Sequence, residues 1–302
     1  MKNAKKWAFA GLFLFIAGVI LMFAALSGSD FSFEKLGNQR LIDRISEPEG
    51  KFDCIFINIS NADVLFAHAP DGKTRVEIRE NEKLPHSVQI DDNTLRITSE
   101  DMRQWQDKIG FWGGNTSVKV YLPDDFYESA IALTLTGDIR VPSGFSFGNL
   151  DVCTSTGKIE VSGVDSEKMT VNGTTGRVIL SDIEILNELN AHMTTGDISI
   201  SGLKAQNMTA SSTTGDVNMT DVAIENLMNI TVTTGDITFS QTDTQGAMLK
   251  ATTGDIKGTF LTEKIFDAKA TTGSVCVPQT NSGSGLCHAR TTTGHIDISI
   301  GG

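Results

Sequence analysis

The sequence predicts an all-β fold, a β-solenoid of short stacked rungs. Three observations carry that prediction. A Thr-Gly dyad recurs at nearly constant spacing through residues 137–302. The residues flanking it alternate between apolar and polar. The apolar positions keep the same columns from one unit to the next.

The Gly of the dyad stands at 137, 157, 176, 196, 215, 235, 254, 273 and 294, so successive spacings are 19 to 21 residues. A fixed period near twenty over nine units marks a repeat architecture. Seven of the nine units read Thr-Thr-Gly; the others are Leu135-Thr136-Gly137 and Ser155-Thr156-Gly157. Two positions after the Gly, every unit carries Ile or Val, from Ile139 to Ile296. Four positions after it stand residues such as Val141, Leu180, Phe239 and Ile298, and the column between is mostly polar. On the other flank, five positions before the Gly, stand Val152, Val171, Ala210, Ile230 and their equivalents. Alternation of this kind is a strand with one buried face. Each unit therefore reads as two main strands.

A unit of about twenty residues cannot bury both strands alone, but stacked units turn each column into a continuous ladder. At roughly 4.8 Å per rung, eight steps give a stack of about 38 Å. Helices are excluded by the period of two and by the Thr, Val and Ile content. A propeller needs about 40 residues per blade. Gly at a corner permits a positive φ, and stacked Thr side chains can hydrogen-bond along their column. Thr-Thr-Gly thus has a structural explanation.

Upstream, Ile55, Ile57 and Ile59 alternate, as do Val118, Val120 and Leu122, so residues 52–136 read as irregular strands at the start of the solenoid. Asp71-Gly72 and Asp91-Asp92-Asn93 are turn chemistry. After these turns and before Val118, Glu100–Thr116 carries Trp105, Phe111 and Trp112. These aromatics either plug one end of the core or form an exposed contact loop for a ligand or membrane.

Residues 7–26 contain no charge and no proline. Twenty helical residues span roughly 30 Å, the thickness of a bilayer core. With Lys2, Lys5 and Lys6 before it (residues 1–6), this segment reads as a transmembrane helix, N-terminus cytoplasmic, with the C-terminal domain outside the cell. A cleaved signal peptide is the rival reading, with Ala25-Leu26-Ser27 as its cleavage site. Residues 27–50 read as a linker with a short helix near Gln39–Ile45.

The formal net charge is −12 over 302 residues. Without Lys2, Lys5 and Lys6, 22 basic residues face 37 acidic ones, a net −15. Such a body repels nucleic acid, which is set aside as a partner. Cys54, Cys153, Cys276 and Cys287 form no CxxC pair, so free or structural thiols are expected. Column phase places Cys276 outward and Cys287 inward.

The sequence holds few candidates for chemistry. Asp197, Asp216, Asp236 and Asp255 follow the Gly on four consecutive rungs. Like charges on stacked strands repel, and calcium takes oxygen ligands, so this ladder is a candidate calcium site. Against it, one carboxylate per rung supplies few ligands, and Asp is a common turn residue. His68, His86, His192, His288 and His295 sit in no HExxH-type spacing and beside no nucleophile motif. Polysaccharide-cleaving β-helices build clefts from long insertions, and the regular rungs have none. The chain is expected to be non-catalytic and to need no cofactor.

Three stretches carry a family resemblance: Phe56-Ile57-Asn58-Ile59-Ser60-Asn61-Ala62-Asp63-Val64, Val118-Lys119-Val120-Tyr121-Leu122-Pro123, and the repeated Thr-Thr-Gly-Asp-Ile at 194–198 and 233–237. Over residues 52–302 the chain resembles the bacterial "putative adhesin" family of β-strand-repeat proteins, a domain of unknown function. The resemblance implies a β-solenoid on the cell envelope, often behind one membrane helix, with no catalytic residues to carry over. Lys158, Arg177, Ser274 and His295 depart from the repeated Asp. The expected role is adhesion, sensing or scaffolding, with a cell-wall glycan or an envelope protein as partner. A second expectation is self-association through the last rung, His295–Ile300, which nothing in the sequence caps.

Overall fold

The structure is a computed structural model that describes residues 40–100, 115–280 and 282–301. Among the described residues there is no helix, and eighteen strands join one sheet. In chain order they are β1 Leu41–Ser46, β2 Cys54–Asn61, β3 Asp63–His68, β4 Arg75–Asn81, β5 His86–Asp91 and β6 Thr94–Ser99. Next come β7 Ser117–Leu122, β8 Phe126–Thr136, β9 Ile139–Val141, β10 Ser146–Ser162, β11 Asp165–Thr214 and β12 Val217–Thr234. The series ends with β13 Ile237–Thr253, β14 Ile256–Phe260, β15 Ile265–Thr272, β16 Val275–Cys276, β17 Leu286–Thr293 and β18 Ile296–Ile300. The longest of these bend around corners, so β11 spans several rungs.

The solenoid is as the columns predict. β10 pairs in parallel with β11 in a register that sets Gly157 against Gly176 and Ile159 against Val178. β12 stacks on β11, and β13 on β12, by the same rule. The column two after the Gly is fully buried at Ile139, Ile159, Val178, Ile198, Val217, Ile237, Ile256 and Ile296; its one exposed member is Val275, in the outermost layer described below. A third strand segment, absent from the sequence reading, completes each coil. Its inward residues lie seven and nine positions after the Gly: Val164 and Ser166, Ile183 and Ile185, Leu203 and Ala205, Val222 and Ile224.

Two of the coil's corners are built on residues with positive φ. At the first, the Thr-Gly glycines have φ between +135 and +153. A Cβ on Gly235 would lie 2.3 Å from the carbonyl oxygen of Gly215 on the rung below. Glycine is required there for both conformation and stacking distance. The hydroxyl that bonds along the stack is not in Thr-Thr, whose side chains face solvent. It stands three positions before the Gly: Thr154 Oγ1 donates to Gly137 O at 3.0 Å and Ser212 Oγ to Gly196 O at 3.1 Å. The second corner holds Gly163, Asp182, Gly202, Asp221 and Gln241, with φ from +48 to +62. This is the left-handed region that Gly, Asp and Asn tolerate best.

At both ends the rungs depart from chain order. β17 pairs with β13 on one side and β15 on the other. β18 likewise lies between β14 and β16. The last coil in sequence is therefore one layer inside the stack, and β15–β16 is the outermost layer. The expectation of an uncapped rung at His295–Ile300 is thus corrected, because β18 has β14 on one side and β16 over Ile296 and Asp297 on the other, and Ile296 and Ile298 are buried. The physical reason is in the side chains. The inward residues Cys287, Ala289, Ile296 and Ile298 fill a core position, whereas the 265–278 coil carries Pro278, which has no backbone N–H to give a sheet ladder and is typical of edges.

Lys264 secures this reordering. Its side chain is 0 % exposed, and its ammonium donates to Asp243 Oδ1 at 2.7 Å, Ser284 Oγ at 2.9 Å and Thr262 Oγ1. Thr262 follows β14 and Ser284 precedes β17, so one cation ties the outgoing and returning segments to the coil below.

The N-terminal end mirrors this. β2 lies between β8 and β6, and β3 between β9 and β7. Asn61-Ala62-Asp63-Val64 is thus a further corner, with Asn61 in register with Thr136. β5–β6 is an antiparallel hairpin turning at Asp92 and Asn93, and β1 and β4 add antiparallel strands over β7. β1 occupies the segment read from sequence as a linker with a short helix: its backbone hydrogen bonds go to β4 instead.

A further expectation does not stand. Among the described residues no helix is long and apolar enough to cross a membrane. The described residues therefore supply no support for a single-pass N-terminal anchor, and the localisation built on it is corrected accordingly. Residues 7–26 themselves lie outside the described residues.

Candidate functional site

The third side of the coil carries a shallow groove of about 800 Å³. Its lining climbs from Phe126 on β8 through the third segments of β10–β13 to Thr262 and Ser284. Seven rung steps at ~4.8 Å make it roughly 34 Å long. The geometry follows from strand alternation. Positions seven and nine after the Gly point inward, so positions eight and ten point out.

Those outward columns are chemically distinct from the Thr-Thr corner. They present Asp165, Glu167, Glu184, Glu225 and Asp243, against the single cation Lys204. Exposed apolar side chains join them, Leu186 among the carboxylates at 60 % exposure and Phe126 at the end of the groove at 56 %. At the far end Asp243 meets the buried Lys264. Burial alone would raise the Asp243 pKa, but hydrogen bonds from Lys264 and Thr262 hold the carboxyl below its usual range. The groove is therefore anionic along its length, with an aromatic ring at one end and a locked ion pair at the other.

The aspartate ladder has a different geometry. Asp197 Oδ1 accepts the backbone N–H of Asp216 at 3.1 Å, Asp216 that of Asp236 at 2.8 Å, and Asp236 that of Asp255 at 2.7 Å. Asp255 in turn accepts from the N–H of His295 at 2.7 Å. Asp63 and Asp138 do the same at the other end. Each carboxylate thus satisfies an amide that the corner leaves outside the strand ladder. His295 continues the series, its Nδ1 lying 3.2 Å from the Ser274 amide nitrogen. Among the described residues no group of three or more His, Cys, Asp or Glu is placed to hold a metal ion. Trp105, Phe111 and Trp112, read from sequence as a contact loop, lie outside the described residues.

Two further clusters are charged. Glu80, 1 % exposed, accepts from Arg44 Nε at 3.0 Å, the His86 amide at 2.6 Å and His86 Nδ1 at 2.8 Å. Burial would raise its pKa, yet these three donors hold it below the ordinary glutamate value. His68 donates Nε2 to Ser143 O at 2.7 Å, pairs through Nδ1 with Asp124, and stacks on Phe145 at 4.3 Å. The Ser143 carbonyl and the Asp124 carboxylate raise its pKa. All four cysteines are free; Cys276 is exposed and Cys287 buried, as column phase predicts. Burial pushes the Cys287 thiol up to about 12, so it is an inert core residue.

The groove went unrecognised in the sequence because its columns carry no shared motif. A signal was present: positions eight and ten after each Gly are acidic at Asp165, Glu167, Glu184, Glu225 and Asp243.

Comparisons place this architecture among known proteins. In fold the chain is similar to a "putative adhesin" from Bacteroides fragilis, with a TM-score of 0.50, 16% identity, and coverage of 86% of this chain and 97% of that one. A "putative adhesin" from Parabacteroides merdae aligns with a TM-score of 0.41 and 16% identity over 74% of this chain and 97% of that one. A search of curated proteins finds no match. The profile of one family matches twice, over residues 52–187 and 185–301, its two copies meeting inside β11. The chain belongs to the Toastrack DUF4097 family.

Proposed function

We propose that the chain is a non-catalytic binding protein of the adhesin type, and that it holds an extended cell-envelope glycan along the third-side groove. The single observation that carries this reading is the shape and chemistry of that groove. It is long, shallow and repeats at the rung spacing, which suits a polymer better than a compact substrate. Its carboxylates accept hydrogen bonds from sugar hydroxyls or amino groups. Phe126 and Leu186 offer apolar surface to a sugar face. A polyanion is disfavoured by the same charges. Relatives in fold described as "putative adhesin" are consistent with a binding role.

The experiment is calorimetric titration with peptidoglycan fragments, an amino-sugar polymer and a polyanionic glycan. Saturable binding to one of the first two, weakened at least about tenfold by Phe126→Ala or Glu184→Gln, supports the proposal. It fails if no glycan binds, or if binding ignores both substitutions. Cleavage of any of these polymers would replace the binding role with an enzymatic one.

A further inference from the structure

We propose that two copies of the chain associate end to end through β15, paired antiparallel about a two-fold axis at Ala268. The starting point is the outermost layer of the stack. β15 pairs with β17 on one side only, and β16 with β18 on one side only. Among the described residues the opposite edge has no strand partner. Its backbone N–H and C=O groups face outward as a template for another strand.

The side chains on that layer are those of a core left half-open. Cys287 and Ala289, one rung in, are 0 % exposed. Their register partners Phe266 and Ala268 on β15 are only half-buried. Ile265 and Val275 are 43% and 42% exposed. An apolar ladder continues to the last layer and stops there.

What selects a second copy as the occupant is the charge order along β15, Ile265-Phe266-Asp267-Ala268-Lys269-Ala270. Antiparallel pairing centred on Ala268 sets Asp267 opposite the partner's Lys269, and Lys269 opposite the partner's Asp267. It also sets Phe266 against the partner's Ala270 and Ala268 against itself. Every inward residue then meets an inward residue, as a shared core requires. An interface of this kind is isologous, the usual form for a dimer. Lys269 makes no ion pair among the described residues. Asp267 uses Oδ2 for Arg290 at 2.5 Å and His288 at 3.0 Å. Its other oxygen remains for the partner. Opposed cross-strand charges stabilise such a pair, and like charges destabilise it.

The test uses the full chain with Cys276→Ser, which removes the exposed native thiol. Adding Ala268→Cys should give a disulfide-linked dimer on mild oxidation, with the 268–268 bond identified by mass spectrometry. By sedimentation, Lys269→Asp should raise the dimer Kd at least about tenfold, and the swap Asp267→Lys/Lys269→Asp should restore it. In the swap the new Asp stands beside Arg290, so an ion pair within the chain is kept. Circular dichroism checks that each variant is folded. A monomer at all concentrations, dimers that lack the 268–268 bond, open filaments, or a Kd that ignores Lys269→Asp would each overturn the proposal.

Discussion

The reordered C-terminal coil makes a sharp prediction for engineered disulfides. In the structure Lys250 on β13 is the register partner of Arg290 on β17, and Arg290 is the partner of Lys269 on β15. Adjacent parallel rungs lie ~4.8 Å apart, within the 4.4–6.8 Å Cα window of a disulfide. Lys250 and Lys269 are two steps apart, about 9.6 Å, too far to bridge without backbone movement. In a Cys276→Ser background, Lys250→Cys/Arg290→Cys should therefore oxidise readily and Lys250→Cys/Lys269→Cys should not. The bond closes a loop of about forty residues, for which chain entropy gives roughly 4 kcal/mol of stabilisation. Urea titration with and without reductant measures that difference, and peptide mapping identifies the bond. Formation of the 250–269 disulfide with no 250–290 bond would mean that the coils stack in chain order and would refute the arrangement.

Three other outcomes follow from packing and charge. Gly235→Ala should cost about 2–6 kcal/mol, combining φ strain with overpacking against Gly215 O. Gly72→Ala, at φ +68 with no atom within 4 Å, should cost only about 1–2 kcal/mol; equal losses in denaturant titration would show that stacking is not what demands the corner glycines. Glu80→Ala should cost roughly 2–3 kcal/mol, below the 3–5 of a fully buried pair because Arg44 is 38% exposed. The folded-state pKa of Glu80 is depressed, so its contribution is present above the unfolded value and lost as pH falls through the folded one. Glu80→Ala should therefore flatten the acid limb of the stability curve. His68 has the opposite sign: its raised pKa gives stability that is complete below the unfolded value and lost as pH rises through the folded one. In a thermal-melt pH series, His68→Gln should remove that small decline; a series identical to the unsubstituted chain's would show that the Asp124 and Ser143 contacts do not matter.

Much of the fold is legible in sequence because burial writes itself into columns. Ile or Val two positions after the Gly marks a buried site in every coil but the outermost, where Val275 is exposed, and the corner role of Thr-Thr-Gly follows from φ and rung spacing. Rung order is a different matter. Any permutation of coils with matching columns satisfies the same pattern, so the placing of β17–β18 inside β15–β16 depends on small differences such as Pro278 and the Lys264 contacts. The corner at Ala62 escaped notice because Ala replaces Gly and the next dyad lies far along the chain. The third strand of each coil was obscured by Ser166, Ala205 and Thr242, small or polar residues at inward positions. The groove was missed for a related reason: its carboxylates stand at fixed offsets from the dyad but vary in type from rung to rung.

The inward placement of the last coil bears on how the chain acquires its structure. Until residues 286–300 are available, β13–β14 presents a finished parallel edge, and the 265–276 coil carries the same Thr-Thr-Gly signature as its proper neighbour. Docking the earlier coil directly on that edge satisfies every column, yet it leaves the later coil without its interior slot. The same edge of β13 thus matches two segments, one near in sequence and one distant, and the structure holds the distant one. Lys264 tilts the outcome: its ammonium is fully satisfied only when Ser284 has returned to the site beside Asp243 and Thr262. A buried cation of this kind acts as a proofreading contact for strand order, since the mispaired stack would leave its charge short of a partner.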